Sequence, residues 1–152
     1  MQLCIFSPRA LACIKTELKL HTQNESGGVF LGYRKNNIWH IKEVVFSGPD
    51  AIHKSAEFVY DRKYTEYQSN MLSDTYKKPL YVLGLWHSHI TSSTFSYSDE
   101  ETNSKFAKLN RFGAISCLID TQKKSICVYH ITPQGNYSKV YLIIRKSSVF
   151  PY

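Results

Sequence analysis

Leu80-Tyr81-Val82-Leu83-Gly84-Leu85-Trp86, running on into His87-Ser88-His89, decides how this chain is read. The stretch follows Pro79 and is apolar enough to be buried on both faces, so it reads as a central strand of a mixed sheet. Two histidines stand at its C-terminal end. Residues i and i+2 of an extended strand point to one face, so both imidazoles can turn to a single ion while Ser88 points away. A hydrolytic zinc site takes three protein ligands and leaves a place for water. The third ligand should be a nearby carboxylate or imidazole. Asp99 stands ten residues past His89, at the start of the next helix, and the Ser/Thr-rich loop of residues 90–95 can fold back to bring it in. By itself a His-x-His pair is common on strands. Ser96-x-x-Asp99, like Ser98-x-x-Glu101, is equally the capping box of a helix start, whose dipole favours acids.

Upstream, Gln2 to Phe6 reads as a strand. Ser7-Pro8 opens a helix with Ala10, Leu11, Ile14 and Leu18 on one stripe, ending near Thr22. Glu25-Ser26-Gly27-Gly28 leads into a strand over Val29 to Tyr33, turned at Lys35-Asn36-Asn37 into a returning strand over Ile38 to Phe46. Ser47 to Ser55 is loop, Glu57 to Tyr60 a short strand, and Asp61 the N-cap of a helix to about Tyr76. Downstream come a helix over Ser96 to Asn110, strands over Ala114 to Asp120 and Ile126 to Thr132, and a last strand over Tyr137 to Ile144. The pattern is α/β, with about three helices and one mixed, curved sheet in a single domain over residues 1–152.

The 152 residues are 43% hydrophobic and 20% charged, which suits one globular core and excludes a disordered tract. No apolar run nears the ~20 residues of a membrane helix. The start has no basic segment before its apolar part, as a secretion signal would. Four cysteines without a CxxC pair exclude a zinc knuckle and suit small buried side chains in a reducing cytoplasm. The net charge of +7 gathers in residues 111–152, where Asp120 is the one acid. Such a face can meet an acidic protein partner. The basic residues are singles and pairs, and the tyrosines suit packing, so nucleic acid is not the expected ligand. His21, His40, His53 and His130 read as structural or surface residues.

Glu25 adds a second acid far from the first in sequence. A metal-activated water needs a base to take its proton and return it to a leaving amine, and Glu25 is the candidate. On its own it reads equally as a loop acid in solvent.

Together, Glu25-Ser26-Gly27-Gly28-Val29-Phe30-Leu31-Gly32, the later Gly84-Leu85-Trp86-His87-Ser88-His89 and Ser96-x-x-Asp99 resemble the JAMM (MPN-plus, JAB-domain) zinc metalloproteases in their prokaryotic form. Ser47-Gly48-Pro49 before Phe58-Val59-x-Asp61 adds to the likeness, which runs over residues 1–145 in element order. It implies a single MPN/JAB, cytidine-deaminase-like domain. It makes His87, His89 and Asp99 the ligands of one Zn2+, Glu25 the general acid/base and Ser96 the donor that steadies the oxyanion. It also implies cleavage after the C-terminal tail of a ubiquitin-like protein, in precursors or on target lysines, by a cytoplasmic enzyme with no membrane attachment. The partners would be that modifier, its conjugates and the ubiquitin-activating and ubiquitin-conjugating-like enzymes of bacterial anti-phage operons. Such a tail would add as a strand to an exposed sheet edge. The family places proline after the second histidine, where this chain has Ile90, and seven residues before the serine, where this chain has six. At the usual spacing Tyr97 and Glu100 would take the serine and acid positions. Ser96 and Asp99 keep the S-x-x-D pair, with Glu100 in reserve. The alternative is a catalytically inactive scaffold of the same fold that binds protein partners.

Overall fold

The computed structural model describes residues 2–145. Met1 and residues 146–152, the two ends of the domain expected over 1–152, lie outside the described residues. The elements are β1 (Leu3–Phe6), α1 (Pro8–Leu20), β2 (Gly27–Lys35), β3 (Ile38–Val44), β4 (Ile52–His53), β5 (Phe58–Val59), α2 (Arg62–Asp74), β6 (Tyr81–His89), α3 (Tyr97–Lys108), β7 (Ala114–Asp120), β8 (Ser125–Ile131) and β9 (Tyr137–Ile144). Each helix starts where a side chain can take an orphan amide. Ser7 accepts from the Ala10 N–H, Asp61 from Tyr64 and Ser96 from Asp99. The β2–β3 hairpin turns on Asn36 and Asn37, both in the left-handed region (φ 51° and 61°), as a two-residue turn requires.

The sheet corrects one expectation. In place of the curved sheet expected it is a closed barrel in the order β1-β3-β2-β6-β7-β8-β9, with β1 pairing β9 in parallel, Leu3 opposite Tyr141. Closure leaves the large sheet without a free edge. A separate pair, β4 with β5, carries the outer strand edges that remain among the described residues, one on each strand. β4 lies inside the expected loop over Ser47 to Ser55. Two residues are too few to leave an alternating pattern in sequence.

Alternation along β2 explains the layers. Phe30 points inward to Phe6, Trp39, Ile41, Trp86, Ile115 and Cys117, and Ala10 and Ile14 of α1 pack into the same core. Val29 and Leu31 face the other way, where Tyr64 and Leu72 of α2 cover them. α3 packs by Ala107 on Ala114 and Ile131. Cys4 and Cys117 are buried, and burial pushes the Cys4 thiol up to about 12, so it packs and does not react. No helix among the described residues is long and apolar enough to cross a membrane.

Two departures in strand length bear on the site. β2 begins at Gly27, so the Gly-Gly step lies inside the strand and pairs with Trp86 and His87 of β6. A Cβ on Gly27 would run into the Trp86 carbonyl oxygen and the Phe58 ring, and one on Gly28 into the Val45 carbonyl oxygen. Here glycine serves close approach of neighbouring backbones. β6 in turn runs through to His89 and so holds both histidines in regular strand geometry.

Candidate metal centre

Both imidazoles lie on one face of β6, as the two-residue period requires. His87 Nε2 and His89 Nε2 are 3.0 Å apart. β6 is held there by β2 on one side and, in parallel, by β7 on the other. The His89 carbonyl also accepts from the Thr121 N–H and hydroxyl, both at 3.1 Å.

The start of α3 supplies the third group. Ser96 Oγ accepts the Asp99 N–H at 3.1 Å, and Asp99 Oδ2 accepts the Ser96 N–H at 2.8 Å, a reciprocal capping box. The same Oδ2 lies 3.1 Å from His89 Nε2 and 3.3 Å from His87 Nε2. The capping reading and the ligand reading are therefore one arrangement: capping fixes the carboxylate that faces the imidazoles. Glu100, one residue on, is exposed and outside this group, and Tyr97 is 83% exposed.

Glu25 is not a loop acid in solvent. Its side chain is 12% exposed, and Oε1 lies 3.8 Å from His89 Nε2. Burial raises its carboxyl pKa, while the His89 and His87 imidazoles pull the other way. Burial also disfavours the charge on Asp99, but hydrogen bonds from His87 and His89 outweigh it and hold the carboxyl well below the usual carboxylate range. The hydrogen bond to Asp99 raises the His89 pKa against the effect of burial.

The donor set fits a divalent metal. In a tetrahedral site with bonds of about 2.0–2.2 Å, ligand atoms stand roughly 3.3–3.6 Å apart. The three edges here, 3.0, 3.1 and 3.3 Å, are close to that face. With their hydrogens on Nε2 the imidazoles donate to the carboxylate; with them on Nδ1 all three atoms turn lone pairs to one point, which a single cation satisfies at once. Two neutral imidazoles and a carboxylate are a zinc donor set.

These residues line a cleft of about 500 Å3, within the range of ligand sites. One wall is the loop after β6, residues 90–95. Phe95 anchors that loop. Its ring centroid stands 5.7 Å from His87, 5.2 Å from Tyr129 and 5.8 Å from Tyr137. Aromatic packing thus holds Ser96 and Asp99 in place of a stiff backbone. Phe95→Ala is expected to weaken zinc binding about tenfold, the lower end for supports of metal ligands. Competition with a chromophoric chelator measures this, and unchanged affinity would assign the loop's order to something else. The opposite wall is β5, where Phe58 and Val59 line the cleft.

Three residues beside the site escaped the sequence reading. Ser88 does point away from the metal face, but its hydroxyl accepts the Ser26 N–H at 2.9 Å. His53, read as structural or surface, donates from Nδ1 to the Glu25 carbonyl at 3.0 Å, since a carbonyl can only accept. Glu17, in the last turn of α1, is 2% exposed. An acid at i+3 from Ile14 on the apolar stripe was the available signal. His130 is structural, held between Gln2 and the Phe112 carbonyl.

Known proteins resemble this chain at two levels. The family model for prokaryotic homologues of the JAB domain matches residues 8–136. The solution structure of protein DSY2949 from Desulfitobacterium hafniense superposes with a TM-score of 0.69, at 15% sequence identity, over 95% of this chain and 94% of that one. At that identity the likeness is one of fold. No curated protein matches the sequence. With most of its length matched and a mixed sheet flanked by three helices, the chain belongs to the prokaryotic JAB-domain family.

Proposed function

We propose that this protein is a zinc-dependent isopeptidase or peptidase, a JAMM-type enzyme, that hydrolyses the bond after the C-terminal tail of a ubiquitin-like protein. The observation that carries the reading is the triangle of His87 Nε2, His89 Nε2 and Asp99 Oδ2, with Glu25 Oε1 beside it at 3.8 Å. When bound there, zinc supplies a Lewis acid that lowers the pKa of a water toward ~7 and polarises a carbonyl. Glu25, its carboxyl pKa raised by burial, takes a proton from water at Oε1 and returns it to the leaving amine as the C–N bond breaks. Ser96 uses its oxygen to accept the Asp99 amide, which leaves its hydroxyl hydrogen to donate to the oxyanion. With the barrel closed, an extended tail finds its strand partner on the outer edge of β5, beside the cleft. Small tail residues suit the space between Phe58 and the metal face. Work on a modifier attached by bacterial ubiquitin-activating and ubiquitin-conjugating-like enzymes, in the cytoplasm and in anti-phage defence, is part of this proposal.

The test is a ubiquitin-like protein fused through its tail to a short extension, incubated with the zinc-loaded protein and read by intact mass. The expected result is one cut directly after the tail and about one zinc per chain. A chelator should remove at least ~100-fold of the activity, and added zinc should restore it. Zinc-loaded protein that leaves all such fusions whole, or cleavage indifferent to the chelator, would overturn the proposal.

A further inference from the structure

Glu17 is a buried acid that, among the described residues, has His21 at 3.6 Å but no lysine or arginine in ion-pair reach. Burying a carboxylate is costly unless hydrogen bonds replace its water. Here they do. Oε1 accepts the Ser47 N–H at 2.7 Å and the Ser47 hydroxyl lies 2.9 Å away, while Oε2 accepts the Ser26 hydroxyl at 2.8 Å. Both serines lead to Glu25. Ser26 is its chain neighbour, and Ser47 Oγ lies 3.2 Å from His53 Nε2, whose Nδ1 holds the Glu25 carbonyl.

The backbone around Glu25 is pinned at every polar group. Its N–H donates to the Lys54 carbonyl at 2.7 Å, and its carbonyl accepts from His53. The Ser26 N–H donates to Ser88 Oγ at 2.9 Å, and the Ser26 carbonyl accepts the Ser88 N–H at 2.8 Å. Ser88 sits between His87 and His89. One network therefore ties α1, the Glu25 segment, β4 and the strand of the two histidines together. It fixes how far the Glu25 carboxylate stands from the imidazole pair.

Glu17, His21 and His53 also stand close enough to suggest a second metal. The ring geometry speaks against it. His21 and His53 stack with centroids 3.5 Å apart and planes within 7°. Their lone pairs lie in two separate, nearly parallel planes and so cannot both aim at one point, and both nitrogens of His53 already have partners.

We infer that Glu17 is a positioning residue: acting through Ser26 and through Ser47 and His53, it sets the Glu25 carboxylate at its working distance from His87 and His89. This rests on the proposed role of Glu25. Displacing a catalytic group by an ångström costs on the order of 100-fold in rate, so a loosened Glu25 should lower kcat and leave substrate affinity alone.

Glu17→Ala is expected to lower kcat about 10- to 100-fold, with KM within about twofold and the full zinc content. Glu17→Gln should recover to within about threefold, because its amide oxygen can still take the Ser47 N–H and its NH2 can donate to Ser26 Oγ. A second readout needs neither metal nor substrate. In metal-free Glu17→Ala protein, the Glu25 and Ser26 amides should exchange with deuterium at least ~10-fold faster, while the Cys117 and Ile119 amides of β7 keep wild-type rates. Should Glu17→Ala fail to fold, Ser26→Ala, which leaves the Ser47 bonds in place, should give the same pattern. Ile14→Ala, a purely packing change on the same helix, should keep wild-type kcat. The inference is overturned if exchange at Glu25 and Ser26 is unchanged, or if kcat is unchanged. It also fails if Ile14→Ala reproduces the loss of kcat. A wild-type protein that cleaves nothing would remove the proposed function, and the exchange experiment would still decide whether Glu17 holds the segment.

Discussion

Glu25→Ala is expected to stop cleavage, by about 1,000-fold or more, while the protein keeps its zinc and its melting temperature to within a few degrees. Glu25 stands apart from the three convergent ligand atoms, 3.8 Å from the nearest imidazole nitrogen, so its loss leaves the donor triangle whole. Its backbone is held by Lys54 and His53 whatever the side chain, so the segment should stay in place. What goes, on the proposed mechanism, is the group that moves a proton between water and the leaving amine. Glu25→Gln keeps the shape without the basicity and should fall as far. Single-turnover cleavage followed by intact mass, with zinc analysis of the same samples, separates the steps. A Glu25→Ala protein that cleaves at the wild-type rate would end the assignment.

His87→Ala and Asp99→Ala should lose metal and activity together: zinc falls from about one per chain to near none after dialysis, and cleavage falls below detection. The two variants should differ in one respect. Asp99 Oδ2 also accepts the Ser96 N–H, so Asp99→Ala removes half of the capping box as well as a ligand. In metal-free protein, Asp99→Ala should therefore be less stable than His87→Ala by about 1 kcal/mol, the usual size of a lost cap. Denaturant unfolding of both apoproteins measures the difference. Equal stability would show the cap to be idle, and retained zinc in either variant would remove that residue from the ligand set.

Much of the candidate site's geometry was legible in sequence because its parts obey short-range rules. His87 and His89 share a face by the two-residue period of a strand. Ser96 and Asp99 meet by the three-residue span of a capping box. Ser7 and Asp61 start helices where residue type alone places them. Less visible was whatever depends on partners far along the chain. The closing contact of β1 with β9 leaves no local trace in either segment. Gly27 and Gly28 look like a loop before a strand until β6, Val45 and Phe58 are seen crowding them. Glu17 looks like an ordinary helix acid, since only Ser26 and Ser47 show why it is buried. His53 acquires its role by touching a backbone carbonyl, a contact that no side-chain motif encodes.

The parallel seam between Leu3–Phe6 and Tyr141–Ile144 carries a cost for biosynthesis. Its two halves come from opposite ends of the described chain, so the ring cannot shut until nearly all of it has been made, and closure over so long a span is slow. A nascent chain stalled before β9 bears two raw borders, on β1 and β8, each a template for sticking to other chains. Shortened versions ending before residue 137 should thus come out of cells as aggregate, not as a smaller folded protein.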